Sequence, residues 1–163
     1  MKKHLLALAV TLAATGSVWA QASDTLAKIK SSGTVTLGVR ESSGLGYTLG
    51  NGKYVGFHTE MGERVLADIQ KQLGLAKLDI KYQPVTSQNR IPLVTNGTVD
   101  IECGSTTNNT ARQKEVAFAV TTYVEEVRIA VNAKSGITGI KDLNGKTIVT
   151  TTGTTSVQTL RKN

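Results

Sequence analysis

The chain has 163 residues, a formal net charge of +7, 39% apolar residues and only 4% aromatics, which allows one modest core and at most part of a second domain. Its basic residues are spread along the chain between Asp and Glu, without interleaved aromatics, and this excludes the concentrated basic face that nucleic-acid binding needs. One cysteine, Cys103, and two histidines leave no His/Cys cluster at metal-ligand spacing, so neither a metal nor a cofactor is expected.

In chain order, Lys2 and Lys3 precede an apolar run over 5–14, followed by small residues that suit a cut after Ala20 or Ala22. This is the pattern of a secretory signal peptide over 1–22, its apolar part short for a membrane span; the alternative is an uncleaved anchor. Its removal takes the charge from +7 to +5, because residues 1–22 hold no Asp or Glu. The remainder has no comparable apolar run, so the mature chain is expected to be soluble and outside the cytoplasm.

Residues 24–32 read as a short helix with Leu26 and Ile29 on one face and Gly33 as its stop. The β-branched alternation over 34–39 predicts a first strand, ending at Arg40, Glu41 and two serines. Asn51-Gly52, between short runs ending in Leu49 and Val55, predicts a tight hairpin. Thr59 is then placed to cap a helix in which Met61, Val65, Leu66, Ile69 and Leu73 recur at helical spacing, with Gly74 closing it. Leu78, Ile80 and Tyr82 alternate with polar residues as a half-exposed second strand. A helix follows with Thr86 or Ser87 as its cap; Pro92 is tolerated because it lies near the first turn.

Residues 99–112, VDIECGSTTNNTAR, read as a third strand over 99–103 that runs through a hydroxyl-rich turn into the first turn of a helix carrying Arg112. Backbone N–H groups, hydroxyls and a helix start there favour an anion, and arginine grips a carboxylate at two points. For such a junction alone, a plainly capped helix start is the competing reading. Cys103 is either a small buried residue at the strand end or half of a disulfide whose partner lies beyond residue 163. The strand–helix alternation predicts an α/β fold with a mostly parallel sheet. Arg40, Arg90 and Arg112 then come from loops or helix starts at one edge of that sheet, the carboxyl edge where open α/β sheets place ligands. The alternative for each is a solvated surface charge.

Two further strands are predicted over 116–118 and 127–131, and a linker over 132–136. After a helical turn over 140–145 come a strand over 147–150, a hydroxyl-rich turn over 151–156 and the opening of another helix.

GVRESS at 38–43, TSQNRIPL at 86–93, NGTVDIECGSTTNNTARQ at 96–113 and DLNGKTIVTTTGTTS at 142–156 stand in that order along the chain. With these four blocks the chain resembles the N-terminal half of a periplasmic solute-binding protein of a polar amino-acid ABC transporter, in the glutamate/aspartate-binding branch. The resemblance implies a two-lobe periplasmic-binding-protein-like fold, truncated to most of lobe 1 and the start of lobe 2. It divides the chain into a signal peptide (1–22), lobe 1 (23–131), a hinge (132–136) and the incomplete start of lobe 2 (137–163). It assigns Arg112, with Ser105 and Thr107, to the ligand's α-carboxylate. Arg40, Ser87 and Arg90 go to the side-chain carboxylate or its neighbourhood, and Thr151 with Thr154 to a clamp from the second lobe. The physics agrees: burying a dicarboxylate requires matched positive groups and donors. A second cysteine to pair with Cys103 is what some relatives carry.

The function implied is extracytoplasmic capture of glutamate or aspartate by a periplasmic monomer that delivers it to the membrane permease of an ABC importer, without catalysis. Two alternatives compete. One is a fragment with little independent binding; the other is a periplasmic enzyme on the same scaffold, which needs an acid/base pair in the cleft. For that pair His58 reads as a surface or capping residue, and Glu102, in an alternating strand, as a side chain facing away.

Overall fold

The computed structural model describes residues 24–162; the expected signal peptide lies outside them. Helix α1 (Thr25–Ser32) is capped by Asp24, whose carboxylate accepts the N–H groups of Leu26 and Ala27, and ends at Gly33. Ile29 turns inward as expected, while Leu26 is half exposed. Strand β1 (Thr34–Val39) then enters the core directly.

The hairpin joins β2 (Tyr47–Thr48) to β3 (Tyr54–Val55) in antiparallel register, Tyr47 opposite Val55. Its turn is closed by the Lys53 N–H on the Gly50 carbonyl at 3.0 Å. The two central residues, Asn51 and Gly52, have φ of 47° and 78°, the left-handed pair that a two-residue hairpin turn demands. Tyr54 stacks on Tyr82 with ring centroids 5.7 Å apart, which fixes the hairpin against the sheet.

Helix α2 (Phe57–Gln72) begins before Thr59, with Gly56 at its cap position. Thr59 therefore does not cap it: it is buried, its hydroxyl 3.5 Å from the Val55 carbonyl. The helix ends as Gly74 predicts, with the Leu75 N–H on the Gln70 carbonyl and the Gly74 N–H on the Lys71 carbonyl, the paired bonds of a glycine-terminated helix. Strand β4 (Asp79–Pro84) follows. Thr86 and Asn89 then cap the next turn reciprocally, the Thr86 N–H on Asn89 Oδ1 at 2.7 Å and the Asn89 N–H on Thr86 Oγ1 at 3.2 Å. Helix α3 (Arg90–Thr95) runs on from there to β5 (Ile101–Cys103).

The three longer-range strands form one parallel sheet in the order β4-β1-β5, with Leu37 opposite both Tyr82 and Ile101. Ile29, Val35, Leu37, Val39 and Leu66 pack together as the core. Gly62 brings α2 close to the sheet, since a Cβ there would lie 3.1 Å from Leu37 Cδ1 and 3.2 Å from Cys103 Sγ. Asp100, just before β5, joins two elements: it receives the Lys28 ammonium of α1 at 2.7 Å and the Thr36 N–H of β1 at 2.8 Å.

Beyond the 3₁₀ turn Arg112–Lys114 the chain is mostly exposed and irregular, apart from a second 3₁₀ turn (Ile140–Leu143) and helix α4 (Thr155–Lys162). The strands expected over 116–118, 127–131 and 147–150 do not form. A strand exists only by pairing, and among the described residues these segments pair with none. The helix expected at Arg112 is likewise only a 3₁₀ turn. Among the described residues no helix is long and apolar enough to cross a membrane.

Candidate functional site

Because β4, β1 and β5 are parallel, their carboxyl ends lie at one edge, and the residues that follow them meet there. Arg40, immediately after β1, donates from Nε to Ser105 Oγ, in the loop after β5, at 3.1 Å. Asn109 Oδ1 accepts the Arg112 N–H at 3.0 Å and so sets the turn that aims Arg112 back toward this edge. The Arg112 guanidinium donates from Nη1 to the Thr107 carbonyl at 2.9 Å and from Nη2 to the Gly153 carbonyl at 3.1 Å.

Arg90, the first residue of α3, is 3% exposed. Its Nε and Nη1, like Ser87 Oγ, are buried and have no hydrogen-bond partner among the described residues. Burial pushes the Arg90 guanidinium down to about 10; Glu102 opposes the shift, and the positive Arg112 and Arg40 add to it. Arg90 stays charged at neutral pH and feels both other arginines. The edge therefore concentrates positive charge and buried donors, an arrangement that attracts an anion and charges a desolvation penalty while none is bound.

A cleft of about 570 Å³ opens beside these groups, with Arg40, Ser87 and Gln88 on one wall and Thr151 and Thr152 on the other. Thr154 is turned to its own loop, its hydroxyl donating to the Thr151 carbonyl at 2.7 Å. Thr107 contributes its carbonyl to Arg112.

Glu102 departs from its sequence reading as a side chain facing away. Its Oε2 accepts the Thr106 hydroxyl at 2.7 Å and its Oε1 is buried without a partner among the described residues. Its charge favours the protonated forms of Arg90, Arg112 and His58. It therefore does not face away, but acts as the counter-charge beneath the arginines. Gly104 makes room for it, because a Cβ there would collide with the carboxylate. A three-residue strand half-buried at every position carries no alternation that reveals this; the available signal was a carboxylate four residues before a hydroxyl in a turn. His58 is corrected too: it is 4% exposed and buried in α2, and burial holds its pKa below 6.5 against the pull of Glu102 and Glu125. Cys103, half-buried against Gly62, is pushed up to about 11 by burial and by Glu102, which makes it a poor nucleophile.

The family described as bacterial extracellular solute-binding proteins, family 3, matches residues 35–163. The L-glutamate/L-aspartate-binding protein of Pseudomonas aeruginosa is 48% identical over 139 residues, 84% of this chain and 46% of that protein. The glutamate/aspartate import solute-binding protein of Escherichia coli is 40% identical over 158 residues, 96% of this chain and 52% of that one. The chain spans about half the length of the curated relatives it matches. Among solved structures, a cysteine-binding protein from Campylobacter jejuni shares the fold, with a TM-score of 0.67 at 24% identity over 85% of this chain and 55% of that one. An ancestral arginine-binding protein bound to glutamine has a TM-score of 0.61 at 25% identity, over 80% and 56% of the two chains.

Proposed function

The chain belongs to the bacterial extracellular solute-binding proteins, family 3, and from that premise we propose that it captures an acidic amino acid, glutamate or aspartate, in the periplasm for a membrane permease of an ABC importer. In this reading residues 23–131 are the first lobe, 132–136 the hinge and 137–163 the beginning of the second lobe. Arg112, with Ser105 and Thr107, receives the α-carboxylate. Arg40, Ser87 and Arg90 receive the side-chain carboxylate, and Thr151 with Thr154 closes from the opposite wall. The ligand is bound and released unchanged.

The observation that carries the reading is the meeting of three guanidinium groups at one sheet edge, one of them buried with donors that have no partner among the described residues. One arginine balances the single carboxylate of a neutral amino acid; three suit a ligand with two. The names of the two relatives agree with the acidic choice. Calorimetric titration of the chain with L-glutamate, L-aspartate, L-glutamine and L-histidine tests it. Glutamate or aspartate is expected to bind best, and Arg112→Lys to weaken that binding by about 1.5–3 kcal/mol, the worth of a charge-assisted hydrogen bond. Tighter binding of glutamine or histidine overturns the acidic assignment.

A further inference from the structure

Gly153 directly follows Thr151 and Thr152, which line the cleft, in a turn braced by the Thr154–Thr151 hydrogen bond. Two independent features meet at it. Its carbonyl accepts Arg112 Nη2 at 3.1 Å, across 41 residues of chain. Its Cα lies flat against the loop after β4: a Cβ there would stand 2.6 Å from the Ser87 carbonyl oxygen and 2.8 Å from Gln88 Cα. Those atoms are backbone and cannot rotate aside as the end of a side chain would. Its φ of +79° adds a backbone conformation that L side chains rarely adopt.

We propose that Gly153 is a positioning residue: by lying directly on Ser87 and Gln88 it fixes how far Thr151 and Thr152 stand from them across the cleft, holds Arg112 to the same turn, and so limits the length of the ligand. Any side chain at 153 forces the turn 151–154 away from 87–88 and breaks its bond to Arg112. A wall held by backbone-on-backbone contact does not yield to an extra methylene, and one methylene is ordinarily read with about 10- to 200-fold discrimination. The length-limiting part rests on the acidic-amino-acid reading; the contact itself does not.

Gly145 supplies the control. It has a φ of +72° but nothing within 4 Å of its Cβ position, so Gly145→Ala carries the backbone strain without the steric clash. Hydrogen exchange of the chain, read on peptides spanning 86–90 and 150–155, is expected to accelerate about 10-fold at both sites in Gly153→Ala, as a lost local closure would produce, and to stay unchanged in Gly145→Ala. Titration with L-aspartate, L-glutamate and L-2-aminoadipate is expected to show Gly153→Ala losing about 10-fold in affinity for the preferred acid while the preference among the three lengths narrows, with Gly145→Ala retaining both. Unchanged exchange in Gly153→Ala overturns the proposal. So does a loss of affinity with the length preference intact, or a loss of cooperative melting, because either marks a merely structural residue. If the parent chain binds none of the three acids, the acidic reading falls and the exchange comparison alone decides whether Gly153 holds the walls together.

Discussion

Glu102 and His58 show how single charges are settled by what surrounds them. Replacing Glu102 by Gln keeps the shape and an acceptor for Thr106 but removes the negative charge that favours charged Arg90 and Arg112. The variant is expected to lose about 1–3 kcal/mol of stability, the range for disturbing a buried polar group, in a urea titration. Unaltered stability would show that the arginines do not need this counter-charge. His58 gives a pH signature whose sign follows from burial. Its folded pKa is below 6.5, so as pH falls through 6.5 the unfolded chain takes up a proton that the folded chain refuses. Stability drops through that window, with the penalty complete below the lowered folded value, and above 6.5 the residue contributes nothing. Urea midpoints measured from pH 7.5 to 5 are expected to fall less steeply in His58→Asn than in the parent. The surroundings of neither residue were legible in the sequence, because a short strand half-buried at every position and burial at the start of a helix leave no periodic trace.

The secondary elements are tied by a few polar anchors as well as by the apolar core. The Asp100 side chain is only 4% exposed, while its Lys28 partner is 46% exposed. Asp100→Ala leaves the Thr36 N–H without its acceptor and is expected to cost about 1–3 kcal/mol. Lys28→Ala removes a half-exposed ion pair and is expected to cost about 1 kcal/mol or less. A denaturant titration in which the two variants lose equally would refute this ranking. Elements whose signal is local were legible: β1 from its alternation, α1 from the spacing of Leu26 and Ile29 and from Gly33, the hairpin from Asn51-Gly52, and the end of α2 from Gly74. The start of α2 was not. Gly56 sits there against Gly46, where an added Cβ would lie 2.9 Å from the Gly46 Cα, and that contact is tertiary.

At the scale of the whole molecule, a packed α/β unit from α1 to β5 gives way to a long exposed stretch in which Val120, Val124 and Val149 are more than four-fifths exposed. Limited trypsin digestion followed by mass spectrometry is expected to cut first after Arg128 and Lys134, leaving peptides from 34–103 intact longest. Early cleavage after Lys71 or Lys81 would contradict the division. The sequence by itself determined the parallel βαβ order, and with it that residues after β1, β4 and β5 share an edge, because apolar periodicity and turn chemistry are local and the chain's twist allows few topologies. Only the tertiary structure decided that Glu102 lies under the arginines, that Arg90 is buried with donors to spare, and that Gly153 touches Ser87. It also decided that the β-branched runs after residue 115 stay unpaired, since a strand needs a neighbour and no pattern within one segment can supply it.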